Sequence, residues 1–165
     1  MSRIDSIPSE ARWMMASRSI SALTTAYEMA LENMPGEMSE EISRSIWRAR
    51  GSDAKVYASA FAMPLKSTRD VAEAFGSISQ VFYGPEYEWQ LMRSADDVAV
   101  LFMLRCPLLN RLREMGGDTE RACTSCKAFA EAAVEGLNPA YTLSFRQGMC
   151  LGDEHCQMNI ERKRA

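Results

Sequence analysis

The sequence contains no apolar run long enough to span a bilayer, and its start (Met1, Ser2, Arg3, Ile4, Asp5) lacks the basic-then-apolar layout of a secretory signal. It has one histidine, His155, which excludes any multi-histidine metal site. Glycine-rich phosphate loops, GxSxG elbows and dinucleotide fingerprints are all missing. Basic residues are not clustered, apart from Arg162-Lys163-Arg164 at a frayed tail, and the net charge is -3. A nucleic-acid surface needs clustered Lys and Arg, so no nucleic-acid partner is expected, and no membrane partner either. The expected location is the cytoplasm, where thiols stay reduced.

What is present fits one globular domain of 165 residues, 47% apolar and 25% charged, able to bury a core without disulfide staples. Residues 1–84 read as helical. Pro8 suits a helix N1 position, and Trp13, Met14, Ile20, Leu23, Tyr27, Ala30, Leu31 and Met34 form one apolar face up to Pro35-Gly36. A second helix begins near Ser39, draws on Ile42, Ile46, Trp47, Val56, Tyr57 and Phe61, breaks at Gly51-Ser52-Asp53 and ends at Pro64. Ser67 caps a third, which ends at Gly84-Pro85. The twelve methionines suggest a pocket wall that can remould around a ligand.

Residues 85–165 change character. Tyr87 to Arg93 and Val98 to Leu104 pattern as strands around a turn at Ser94 to Asp97. Pro107 to Met115 reads as a short helix ending at Gly116-Gly117, and Thr119 caps another that runs to Gly136. After an Asn138-Pro139 turn come strands near Tyr141 to Met149 and His155 to Glu161. The expected fold is α+β: a helical N-terminal half, then an antiparallel sheet of two hairpins with intervening helices.

All five cysteines lie between Cys106 and Cys156. Cys123 and Cys126 are three residues apart on one helix, and Cys150 and Cys156 flank a Gly152-Asp153 bend. A helix pair and a hairpin pair assemble a tetrahedral thiolate site, so Cys123, Cys126, Cys150 and Cys156 are candidate ligands, with zinc as the default ion and an iron–sulfur cluster as the alternative. They also read as small buried hydrophobes. Cys106, before Pro107 at a strand-to-helix junction, is a candidate nucleophile with a lowered pKa, a competing thiol, or a buried residue. His155 is the only partner for a Cys–His catalytic pair. Asp153 suits a turn-stabilising bond. Arg105, Arg146 and Glu131 are further pocket candidates.

The stretch Phe145 to Cys156, with its Cys, Gly-Asp turn and Cys, resembles the end of the vinyl-4-reductase domain. In sensory proteins of aromatic-degradation regulators that carry this domain, three cysteines and a glutamate hold zinc beside a hydrophobic pocket. The resemblance implies Cys123, Cys150 and Cys156 as ligands. The glutamate position falls at Gln147, and Cys126 substitutes for it. Arg105-Cys106-Pro107, the Cys123 region, Gly136-Leu137-Asn138-Pro139 and Gly152-Asp153 with Cys156 also resemble the L-2-amino-thiazoline-4-carboxylic acid hydrolase family. These resemblances cover roughly residues 100–160.

Three functions follow as expectations. One is a hydrolase of a small amide-like or thiazoline-like ring, with a Cys-bound metal or with Cys106 as nucleophile. The others are a metal-stabilised sensor or carrier of a hydrophobic small molecule and an iron–sulfur accessory protein. A homodimer through a sheet edge or the first helix is compatible with each.

Overall fold

The computed structural model describes residues 3–32, 34, 36–95 and 97–164. The expectations placed on Met1 and Ser2, on Pro35 as a helix stop and on Asp96 within a turn lie outside the described residues. After a short 3-10 turn at Arg3–Ser6, the chain forms α1 (Ser9–Glu32), α2 (Gly36–Ser52), α3 (Ala54–Ala60) and α4 (Thr68–Tyr83). There follow β1 (Glu88–Ser94), β2 (Val98–Arg105), α5 (Pro107–Met115), α6 (Thr119–Leu137), β3 (Tyr141–Gln147) and β4 (Cys156–Arg162). The α+β order of helices, hairpin, helices, hairpin is as the sequence predicts.

Local chemistry sets several boundaries. Ser67 caps α4 in a reciprocal box: its side chain accepts from the Asp70 N–H, and the Asp70 carboxylate accepts from the Ser67 N–H. That arrangement holds the Asp70 carboxyl below the usual range. Gly116 ends α5 at φ +74°, a left-handed conformation that glycine adopts without strain. The cap of α6 is Asp118, not Thr119, because its carboxylate accepts from the Glu120 N–H at 2.8 Å. The break at Gly51-Ser52-Asp53 separates α2 from α3 as expected.

The sheet runs β1-β2-β4-β3, all antiparallel. Strand β2 alternates, turning Ala99, Leu101 and Met103 inward. Because β2 and β4 pair Met103 with Cys156 and Leu101 with Met158, those side chains share the inner face. Helices α4 and α6 cover that face with Val71, Phe75, Ile78, Phe129, Ala133 and Val134. Gly76 lets β1 close on α4, since a Cβ there would stand 2.6 Å from the Trp89 ring.

Helix α1 is oriented against expectation. Its buried residues are Ser17, Ser21, Thr25 and Glu28, while Met14, Ile20, Leu23 and Tyr27 face outward. Helix α2 does the same in part, burying Ser39, Ser43 and Trp47 and exposing Ile42 and Ile46. The apolar face read from periodicity is real, but it is not the core face. The inward hydroxyls are satisfied along their own helix: Ser17 donates to the Trp13 carbonyl, Ser21 to Ser17 and Thr25 to Ser21.

Candidate functional site

A cavity of about 280 Å³ opens between α1, α2, α5, α6 and the turn joining β3 to β4. Met103, Leu109, Leu112 and Phe145 supply apolar walls, and all five cysteines line it. The cavity is close to the lower end of the size range for small-molecule sites, and such sites are mostly apolar with a few placed polar groups. Fold topology explains the convergence. Cys106 directly follows β2, Cys156 begins β4 beside Met103, and α6 brings Cys123 and Cys126 over the turn that holds Cys150.

The thiols are not equivalent. Cys123 and Cys150 form a disulfide, their Cα atoms 5.7 Å apart, a spacing that suits the bond. Cys106, Cys126 and Cys156 are free. The expectation of all-reduced thiols therefore does not describe this structure. Among the described residues, no three Cys, His, Asp or Glu side chains are grouped to hold a metal. A disulfide sulfur is not a thiolate donor, so the four-cysteine set does not fit a tetrahedral thiolate site while this bond exists.

Cys106 is the N-cap of α5, and its Sγ accepts from the Leu109 N–H at 3.4 Å. The sequence position suggests a lowered pKa, but the structure reverses that expectation. Desolvation is the larger effect, and burial pushes the Cys106 thiol up to about 11 despite the helix N–H groups. Burial also raises Cys126 and Cys156.

Alkaline instability is the expected consequence. Starting from an unfolded value of 9.0, the raised Cys106 thiol contributes stability that is fully present below pH 9 and lost as pH rises through 11. Two pH units correspond to about 3 kcal/mol. Denaturant unfolding of the wild type is expected to lose about 2 kcal/mol more stability than Cys106→Ala between pH 8 and 11, where the folded thiol is half titrated. Parallel curves for the two proteins would refute it.

His155 lies away from the cavity. Its ring stacks on Phe102 with centroids 4.2 Å apart. Phe102 precedes the inward Met103 on β2, so it occupies the opposite face of the sheet. The structure thus does not bring Cys106 and His155 together as a catalytic pair. Asp153 performs the expected turn role, its carboxylate accepting from the Gly148 N–H at 2.7 Å. Arg146 and Gln147 line the cavity, with Arg146 exposed. Arg105 pairs with Glu88, and Glu131 with Lys127.

Sequence reasoning missed Glu28. It lines the cavity from α1 at 8% exposure. One carboxylate oxygen, Oε1, accepts from the Ser43 hydroxyl at 2.7 Å and the Trp47 indole N–H at 2.5 Å. Ser43 is also 3.0 Å from Ser125. The signal was a polar line at positions 17, 21, 25 and 28, which a sequence reading assigns to solvent.

Fold and cavity together define an α+β architecture with a cavity between its helices and the β3–β4 turn. The chain belongs to the L-2-amino-thiazoline-4-carboxylic acid hydrolase family, whose model matches residues 14–160. That match takes in the helical half, where the sequence reading found no resemblance. No curated protein matches the sequence. Among solved structures, the phenol-responsive sensory domain of the transcription activator PoxR with phenol is similar, with a TM-score of 0.62 and 11% identity over 90% of this chain and 75% of that one. A trafficking protein particle complex subunit 3 from Naegleria fowleri, covalently bound to palmitic acid, has a TM-score of 0.60 and 11% identity over 91% of this chain and 96% of that one. At such identity the likeness is one of fold, and it agrees with the vinyl-4-reductase-like architecture.

Proposed function

We propose that the chain is a hydrolase of small cyclic isothioureas of the 2-amino-thiazoline type, acting inside the 280 Å³ cavity. The observation that carries this reading is one cavity lined by free thiols and a buried carboxylate, in a chain of this hydrolase family. Cys106 is the nucleophile in this scheme. Its thiol is protonated near neutral pH, and the ring nitrogen, an amidine-type base, takes that proton as Sγ attacks C2. Departure of the ring sulfur leaves an isothiouronium on Cys106, which water converts to a urea and the free thiol. Helix N–H groups at Leu109 and Leu108 favour the charge that forms on sulfur.

The direct test incubates the purified protein with L-2-amino-thiazoline-4-carboxylate and follows its mass. Addition of one water, with a new small-molecule thiol, is the expected result. A ligand that binds and is never turned over would sink the hydrolase reading and favour a sensor or carrier, to which the apolar walls and the likeness to a phenol-responsive domain lend support. Zinc, or an iron–sulfur cluster, on Cys123, Cys126, Cys150 and Cys156 belongs to a reduced form of the same site, and elemental analysis of reduced protein measures it.

A further inference from the structure

We propose that Glu28 is the polar end of the binding site and that it takes the N–H of a planar, amidine-type cation, one carboxylate oxygen to one N–H. Choosing a thiazoline ring as the carrier of that group rests on the hydrolase reading, whereas the subsite itself rests on geometry.

Two independent observations support it. The first is the cavity, whose lining combines Glu28, Trp47 and Ser125 with apolar Met103, Leu109 and Leu112, Glu28 being bonded to Trp47. The second is the carboxylate itself. Oε1 is saturated by Ser43 and Trp47, while Oε2 is buried and has no hydrogen-bond partner. Among the described residues, no salt bridge reaches Glu28. Buried carboxylate oxygens are nearly always partnered, because desolvating one without compensation is costly.

The other polar groups on this face of α1 carry no such demand, since the three hydroxyls donate to their own helix. Among the described residues of this face, Glu28 alone both lines the cavity and keeps a carboxylate oxygen without a partner.

The chemistry of the site selects the class of ligand. An ammonium carries three donors and a tight hydration shell, and one acceptor among Leu and Met side chains cannot replace that shell. An amidinium spreads its charge over a flat group, offers a single N–H in the direction needed, and presents an apolar ring to the remaining walls. A bound water is the competing occupant, and it would need several polar partners.

The test compares two probes on the full chain by calorimetric titration: 2-amino-2-thiazoline and 2-methyl-2-thiazoline, which match in shape and differ in the amidine-type N–H donor and the positive charge it carries. The wild type is expected to bind the amino compound roughly 10- to 100-fold more tightly, the usual range for a hydrogen bond to a charged group. Glu28→Gln keeps an acceptor for Ser43 and Trp47 but turns a donor toward the cavity. It is expected to lose that preference. Equal affinity of the wild type for both probes, or no binding of the amino compound, overturns the proposal without need of a variant. So does a preference that Glu28→Gln leaves intact, as a water at this position would. Selective binding of the amino probe without turnover of the 4-carboxylate would retain the subsite and discard the hydrolase.

Discussion

Replacing Cys106 by alanine is expected to reduce turnover of L-2-amino-thiazoline-4-carboxylate by roughly a thousandfold or more, the scale seen when a covalent nucleophile is removed. The expectation comes from where the sulfur sits. Cys106 faces the cavity at the end of β2, and its Sγ receives the Leu109 N–H at the start of α5. Alanine at an N-cap costs about 1 kcal/mol, so the variant should fold and still bind ligand. A fall in kcat with little change in KM is therefore the expected pattern. The pH profile adds a second readout. A thiol raised to about 11 is almost wholly protonated at neutral pH, so kcat should depend on a base rather than on a standing thiolate pool. Alanine variants of Cys126 and Cys156 are the comparison. Should Cys106→Ala retain wild-type turnover, the nucleophile assignment fails.

The second large effect concerns the framework that holds α2 against α6. Gly51 faces α6 so closely that a Cβ there would overlap the Phe129 carbonyl oxygen and stand 3.0 Å from the Ala132 Cβ. A backbone carbonyl within a helix cannot swing aside as a side chain can. Gly51→Val is expected to destabilise by about 3 kcal/mol or more, which is the cost of forcing helices apart in a packed interior. Against a total of roughly 5–15 kcal/mol, that is enough to leave much of the protein unfolded at moderate temperature. Gly36→Ala, in the first turn of the same helix, meets nothing within 4 Å. It should be neutral or stabilise by up to about 1 kcal/mol. Thermal melts of the two variants side by side check the claim, and similar melting temperatures would refute it.

Which parts of this were legible in the sequence follows from the range of the forces involved. Ser67 with Asp70, Gly116 after α5, and Asn138-Pro139 after α6 act through hydrogen bonds and dihedrals within a few residues, so their signals are local. Asn138, for example, caps α6 and accepts from the Ala140 N–H at 3.0 Å. The apolar run Val98 to Leu104 is an equally local signal for β2, whereas its alternation in burial is set by the sheet. Convergence of the cysteines on one region was readable from the hairpin and the helix spacing. Which sulfur bonds to which was not, because the pairing depends on the docking of α6 over the 149–151 turn.

The orientation of α1 was misread for a physical reason. Periodicity reports that a helix has an apolar side and says nothing about what that side meets. Here Ser17, Ser21 and Thr25 go inward at little cost because their hydroxyls need no outside partner, and Gly84 packs closely on Ser17. Cys106 shows the same limit in electrostatics. Its place at a helix start was visible, whereas the desolvation that outweighs it comes from residues distant in sequence.

The self-satisfied hydroxyls of α1 have a mechanical consequence. Bonds that stay inside a helix travel with it, so sliding or tilting α1 strips no solvation from Ser17, Ser21 or Thr25. Beside its packing on α2, α4 and α5, its bonds to other segments include Trp13 to the Val81 carbonyl, Arg18 to Glu86, Glu32 to the Asp118 amide, and Glu28 to Ser43 and Trp47. The innermost of these links is made by the Glu28 carboxylate, in a residue that lines the cavity.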